Sequence, residues 1–356
     1  MKNHSIKHQL LAGILFLTFL LGACKPKARA TQPVETPLPS QPSAVAATAT
    51  TAPTPTLQPR VLKVCTAAEP ASLYPYDGQE SHSKRTAYDM LFDRLMEVSL
   101  EGEESSLLIR PAALGDNAKI VPVKVGAGSL VVDAYGEIKV LEAGTKVRQA
   151  LCSNDDCVIS WDGSSELSLN QVVLELELKP DLKWSDGEAL TANDFIYSFQ
   201  VMKAAKLPSD RSKIDLTQSL KALDERTLEW KSLPGVEWLS PEKALPLPMP
   251  AHQLEGQSAA DLAANPLLKA EALSYGPYRI AAWEAGQVLK LEANPHYYRA
   301  AEGLPAIKEL QLRFIPSLEE ALAELKAGNC EILDESYDFL SIPQADWAAL
   351  EGGNDI

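Results

Sequence analysis

Residues 10–24 read Leu-Leu-Ala-Gly-Ile-Leu-Phe-Leu-Thr-Phe-Leu-Leu-Gly-Ala-Cys behind a short basic start, Lys2 and Lys7. This run decides which part of the chain is left to fold and in which compartment. Its apolar stretch of about a dozen residues is too short for a bilayer core of about 30 Å. It matches the apolar segment of a secretion signal, about 7–15 residues. Small residues stand directly before Cys24, as in a bacterial lipoprotein cleavage box. The expectation is a lipoprotein signal peptide over 1–23 and a lipid on Cys24. That would tether the protein outside the cytoplasm, on the outer face of the bacterial cytoplasmic membrane.

Residues 25–60 are a different material. Eight of these 36 residues are Pro, seven Thr and seven Ala, with no aromatic residue. Such a segment cannot bury enough apolar surface to offset its ordering entropy. With Cys24 it forms an expected tether, 24–60, reaching on the order of 110 Å at about 3.1 Å per residue. The rest, 61–356, has 296 residues, enough for two domains. Without Lys2 and Lys7 the 33 basic residues become 31 against 48 acidic, a net charge of −17. Nucleic-acid binding needs basic surface to neutralise phosphates, so this balance argues against it.

Cys65, Cys152, Cys157 and Cys330 remain, an even number in an oxidising compartment, and disulfides are the default. Four cysteines allow three pairings. Cys152 and Cys157 flank a short polar loop where a local bridge forms easily, which leaves Cys65 with Cys330. A zinc site would need matching Cys pairs or nearby histidines. His82, His252 and His296 are scattered, so no metal is expected.

Along the body, Val61–Thr66 reads as a strand and Glu69–Tyr76 as an extended loop, because each Pro biases its predecessor away from helix. Ala87, Met90, Leu91, Leu95 and Val98 have helical spacing, which predicts a helix over 84–98. From 119 to 178 the pattern is short strands punctuated by glycine turns. Thr191 with Asp194 and Ser317 with Glu320 read as capping boxes, and Gly328 as a helix-ending glycine. A hairpin is expected over 277–292 and a strand over 307–314. Strands and helices in mixed order imply an α/β or α+β fold. The loop after Pro75 lies between the first strand and first helix, where ligands commonly bind in α/β folds. That position makes Tyr76, Gln79, Glu80, Ser81, His82 and Ser83 the candidate ligand-binding residues.

No catalytic constellation stands out: there is no H-E-x-x-H, no G-x-S-x-G and no phosphate-cradling G-x-x-x-x-G-K. Three segments in fixed order do. The first is Cys65-Thr-Ala-Ala-Glu69-Pro70-Ala-Ser-Leu73-Tyr74-Pro75. The second runs from Leu178 through Trp184-Ser185-Asp186-Gly187 to Thr191, Asp194 and Phe199. The third is Gly276-Pro277-Tyr278 with Trp283, followed by Asn294-Pro295. Together they closely resemble the family 5 extracellular solute-binding proteins, receptors of ABC importers for oligopeptides, dipeptides and, in some members, nickel or oligosaccharides. The motif residues read as scaffold: Ser185-Asp186-Gly187 as a tight turn, Thr191 and Asp194 as a cap, Trp184 as core, Gly276-Pro277-Tyr278 as a strand start.

The resemblance implies a periplasmic-binding-protein-like type II lobe of mixed α/β class over 61–340. The segment 119–170 reads as a β-rich insertion. Residues 341–356 would begin a crossing toward a second lobe largely missing from this chain. Either the record is fragmentary or the protein is a degenerate natural one. The implied function is a non-enzymatic, cofactor-free receptor, monomeric, that binds peptides in an inter-lobe cleft and delivers them to a permease. The alternatives are a receptor for nickel chelates or oligosaccharides, or a structural or sensory lipoprotein if 356 is the natural end.

Overall fold

A computed structural model describes residues 60–341, apart from 79, 100, 101, 106, 153, 206–210, 238–240, 269 and 270. Cys24, where a lipid is expected, the expected tether up to residue 59 and the expected crossing segment beyond residue 341 lie outside the described residues. In chain order the elements are β1 (Val61–Thr66), α1 (His82–Leu91), β2 (Met96–Ser99), β3 (Gly102–Ser105), β4 (Ala118–Val125), β5 (Leu130–Val132), β6 (Ile138–Val140), β7 (Lys146–Arg148), β8 (Val158–Ser160) and β9 (Leu167–Glu177). There follow α2 (Ala192–Ala205), α3 (Ser212–Asp215), β10 (Thr217–Ala222), β11 (Thr227–Ser232), α4 (Pro241–Ala244), α5 (Ala251–Leu254) and α6 (Ala259–Ala264). The last are β12 (Tyr278–Glu284), β13 (Val288–Ala293), β14 (Glu309–Phe314), α7 (Leu318–Lys326) and β15 (Ile332–Leu333).

Two sheets carry the architecture. The five-stranded sheet has the order β12-β13-β14-β1-β15, with β1 parallel to both β14 and β15. The four-stranded sheet, β10-β11-β9-β4, is antiparallel throughout. Strand β11 alternates strictly, burying Leu228, Trp230 and Ser232, because successive side chains point to opposite faces of a sheet. Its core includes Leu174, Leu176, Trp184 and Phe195. A second core under the parallel strands gathers Val64, Leu73, Leu91, Leu291, Leu310 and Leu312. Phe92 packs against both.

The helix expected over 84–98 is shorter and starts earlier. It ends at Leu91, and Phe92 is already extended (φ −132°, ψ 123°). The Leu91 carbonyl is taken by the Gly276 N–H at 2.8 Å instead of continuing the helical ladder. Leu91 belongs to one core and Leu95 to the other, so the chain straightens between them and enters β2. Helical spacing in the sequence therefore marked two buried contacts on either side of a helix end. Gly276 itself has no room for a side chain: a Cβ there would lie 2.7 Å from the Leu91 carbonyl oxygen.

The segment 119–170 is β-rich, and its first strand belongs to the four-stranded sheet. Strand β4 pairs along its whole length with β9, from Ala118 opposite Leu174 to Val125 opposite Leu167. The hairpins β5–β6 and β7–β8 pack on a small core of Val131, Leu141, Val147, Trp161, Leu167 and Leu169. Cys152 and Cys157 are bonded beside them, and Cys65 is bonded to Cys330, the pairing favoured from the sequence.

Asp133 holds the β5–β6 turn. Its buried carboxylate accepts the Tyr135 and Glu137 N–H groups at 2.8 and 2.9 Å and pairs with Lys139 at 2.8 Å. Desolvation pushes its pKa up, but the hydrogen bonds from Lys139, Glu137 and Tyr135 together outweigh it and hold the group below its ordinary 3.8. A depressed folded-state pKa means stability that is present above the unfolded value and is lost as pH falls through the folded one. The stability advantage of the wild type over Asp133→Asn is therefore expected at about pH 6 and shrinks toward about pH 2.5. Urea unfolding of both proteins at the two pH values measures it. An advantage that is constant with pH would show that the carboxylate charge is not what holds the turn.

Candidate functional site

In an open sheet with parallel strands, ligands bind beyond the carboxyl ends of those strands. Here that edge is where the chain leaves β1 into 67–81 and leaves β15 into 334–341. The two exits are joined by a compact polar seam. The Asp334 N–H donates to the Cys65 carbonyl at 3.0 Å, and its carboxylate accepts the Thr86 hydroxyl at 2.8 Å and the Ser336 N–H at 3.0 Å. The Ser336 hydroxyl accepts the Ala67 N–H at 2.7 Å and stands 3.1 Å from the Thr66 hydroxyl. Glu335 reaches Arg85 and His82, each at 3.3 Å. Those partners are more than half exposed, so each pair contributes at most about 1 kcal/mol.

The loop from β1 to α1 is clamped from beneath. Lys84 is 2% exposed, and its ammonium donates to Asp77 at 2.6 Å and to the Tyr74 carbonyl at 2.8 Å. Asp77 in turn accepts the Ser72 hydroxyl. The Tyr88 hydroxyl donates to the Leu73 carbonyl at 2.8 Å, and the Tyr76 hydroxyl donates to the Leu247 carbonyl. Burial pushes the Tyr88 hydroxyl well above its ordinary pKa, with the charges of Asp77 and Glu80 adding to the effect, so it stays a neutral donor. A lone buried ammonium would be costly, and the Asp77 carboxylate is what makes Lys84 tolerable there.

Beside α1 opens a pocket of about 200 Å³, walled by Glu80, Arg85, Tyr88, Asp89, Asp93 and Arg94 with Phe92 behind. Arg94 pairs with Asp89 at 2.7 Å, and Arg85 is drawn to Glu335. The Tyr88 and Phe92 rings lie 5.1 Å apart and make one aromatic wall.

The six ligand-binding candidates separate here. Glu80 lines the pocket and is exposed, and His82 is exposed in its pair with Glu335. Ser81 caps α1 by accepting the Lys84 N–H. Tyr76 and Ser83 are buried, and Gln79 lies outside the described residues. Sequence reasoning missed Arg85, Tyr88, Asp93 and the 334–336 run. The available signal was that any strand pairing parallel to β1 returns its following loop to the same edge; Asp-Glu-Ser after the last strand was that loop.

The motif residues sit deeper. Trp184 is 1% exposed and donates its indole N–H to Asp194 at 3.4 Å. The Asp194 carboxylate also accepts the Thr191 and Ala251 N–H groups at 2.7 and 2.9 Å, so it ties the start of α2 to the start of α5. Burial raises its pKa against these hydrogen bonds. The reach-back half of the expected capping box is present in the Thr191 N–H bond, and the forward half differs: the Asp194 N–H goes to the Thr191 carbonyl, not to its hydroxyl. Asp186 accepts from His252 and Gln253 at 2.9 and 3.0 Å, in a turn where Gly187 has φ +97°. Ser185 and Ser274 exchange contacts at 2.7 and 3.1 Å. Glu69 accepts from the Trp283 indole at 2.6 Å and the Gly286 N–H at 2.8 Å, and Pro70 beside it is buried. Asn294 donates to the Gly276 carbonyl at 3.0 Å, with Pro295 exposed after it. Pro277 leads into Tyr278, whose hydroxyl donates to the Ile307 carbonyl at 3.0 Å.

The family model "Bacterial extracellular solute-binding proteins, family 5 Middle" matches residues 160–351. The oligopeptide-binding protein AppA of Bacillus subtilis (strain 168) is 25% identical over 246 residues, covering 64% of this chain and 43% of AppA. The AppA structure in complex with a nonapeptide aligns with a TM-score of 0.55 at 18% identity, over 83% of this chain and 46% of that one. The oligopeptide-binding protein of Thermus thermophilus, complexed with a pentapeptide, aligns at 0.53 and 16% identity, over 76% and 43%. The chain spans less than half the length of these relatives. At such identities the structural likeness concerns the fold, a periplasmic-binding-protein-like type II lobe of mixed α/β class.

Proposed function

The chain belongs to the bacterial extracellular solute-binding proteins of family 5, and from that premise we propose that it is the substrate receptor of an ABC importer for peptides. It is a binding protein and not an enzyme. In this reading residues 61–340 form the first lobe, with the 119–170 segment as an insertion on it. Ligand is held against this lobe by a second one, and closure around the ligand is a hinge motion of the kind solute receptors use. The signal peptide over 1–23, the lipid on Cys24 and the tether over 24–60 hold the receptor beside the permease that takes its cargo.

The observation that carries the peptide assignment is the sequence match to oligopeptide-binding AppA. The polar edge at the ends of β1 and β15 supports it, since peptide main chain is recognised by hydrogen-bonding groups. Isothermal titration against a mixed peptide library tests the proposal. Peptides are expected to bind and oligosaccharides or a nickel chelate to give no heat. Binding of a sugar or a nickel chelate with no response to any peptide would overturn it.

A further inference from the structure

We propose that the pocket beside α1 receives one cationic side chain, guanidinium or ammonium, of a bound peptide. This rests on the peptide-receptor reading above. Size is the first argument. About 200 Å³ is below the roughly 300–1,000 Å³ of pockets that swallow a whole small molecule, and suits a single long side chain of a larger ligand.

Charge and rings are the second. Three carboxylates, Glu80, Asp89 and Asp93, face two guanidiniums, Arg85 and Arg94. Arg94 is engaged with Asp89, and Arg85 is shared with Glu335, a further carboxylate just outside the pocket. The balance of the walls is therefore acidic. The Tyr88 and Phe92 rings line the pocket, and aromatic rings attract a cation most strongly where water is excluded; Lys84 already lies over the Tyr88 ring, 5.8 Å from its centroid. Tyr88 is fixed by its hydrogen bond to Leu73 and stays neutral. Asp93 is positioned by a hydrogen bond with Tyr297. Behind Phe92, its ring 5.2 Å away, stands Tyr275, only 2% exposed, whose hydroxyl has no partner among the described residues. Glu80 lines the pocket and is exposed, so its carboxylate is accessible to an entering side chain.

The test uses the whole chain and titrates acetyl-Ala-Arg-Ala-amide and acetyl-Ala-norleucine-Ala-amide, whose capped ends carry no charge. The arginine peptide is expected to bind about tenfold more tightly. Glu80→Gln, at an exposed position that does not endanger folding, should erase most of that preference by weakening the arginine peptide toward the affinity of the norleucine peptide; an undiminished tenfold preference in this variant would overturn the role of Glu80 in the pocket. Equal affinity for the two capped peptides would overturn the cation pocket while leaving a peptide receptor standing. Binding of uncapped Ala-norleucine-Ala, with both capped peptides silent, would assign the cation to the peptide's terminal ammonium and overturn the side-chain assignment. No response to any peptide, capped or uncapped, would overturn the pocket and the receptor reading together.

Discussion

Truncating Trp184 to alanine is expected to lower the unfolding free energy by about 4 kcal/mol and the melting temperature by on the order of 10 °C. The indole is almost wholly buried in the larger core and packs edge-on against Tyr275 at 5.3 Å. Its loss leaves a cavity that the surrounding sheet and helix cannot close, because both are fixed by their own ladders. It also strips one donor from Asp194, whose carboxylate is already penalised by burial. The remaining donors, Thr191 and Ala251, then hold that charge alone. Trp184→Phe keeps most of the volume and should lose roughly half as much. Urea denaturation of both variants measures the difference. A loss under about 1 kcal/mol for the alanine variant would show that the core collapses into the space and that Trp184 is not a fixed wedge.

Replacing Cys65 and Cys330 together by alanine is expected to cost up to about 5 kcal/mol on chain-entropy grounds. The bond closes a loop between positions 265 residues apart, and both sulfurs are buried at the edge where β1 and β15 run in parallel. The long loop is what makes the effect large: the pair at Cys152 and Cys157, five residues apart, is expected to contribute no more than about 2 kcal/mol. The long bridge has a local consequence as well. Strand β15 is only two residues long and pairs with β1 through Val64–Ile332 and Cys65–Leu333. Without the disulfide that short pairing should open first, and with it the Asp334–Ser336 seam. Hydrogen exchange at Asp334 and Ser336 reads this directly. Faster exchange there, ahead of β14, is expected in the double variant. Unchanged exchange would place the stabilising effect in the unfolded chain alone.

Much of the scaffold is legible in the sequence. The strand Val61–Thr66 and the hairpin following Gly276 came from apolar runs bounded by turn residues, which depend on neighbours in the chain. The start of α2 and the cap of α7 by Ser317 came from capping chemistry, which is equally local. Gly328 has φ +72°, as a helix-ending glycine requires. An even cysteine count pointed to bridges, and the short loop between Cys152 and Cys157 favoured the pairing observed. Export and anchoring, as expectations, likewise needed only the order of residues 1–24.

What the sequence did not disclose depended on contacts far apart along the chain. The end of α1 was misplaced because Leu91 and Leu95 look alike in a periodic pattern, and only the approach of Gly276 decides which carbonyl is taken. The candidate site was half visible. The loop after β1 was named by position, but whether each side chain there faces solvent or the interior is settled by packing: Ser81 caps, Ser83 is buried, Glu80 faces the pocket. Arg85 and Tyr88 share that pocket because they stand three residues apart on α1, Asp93 joins them from the segment after the helix end, and Asp334 reaches Thr86 only because β15 pairs parallel to β1. The order of residues thus determined most of the elements and the family signature, since each rests on neighbours in the chain, and it favoured one of three possible cysteine pairings. The tertiary structure alone decided how these groups meet at the strand ends: packing settles which side chains of 80–94 face one pocket, and Asp334 and Glu335, 248 and 250 positions from Thr86 and Arg85, reach them only when the parallel strands are in register.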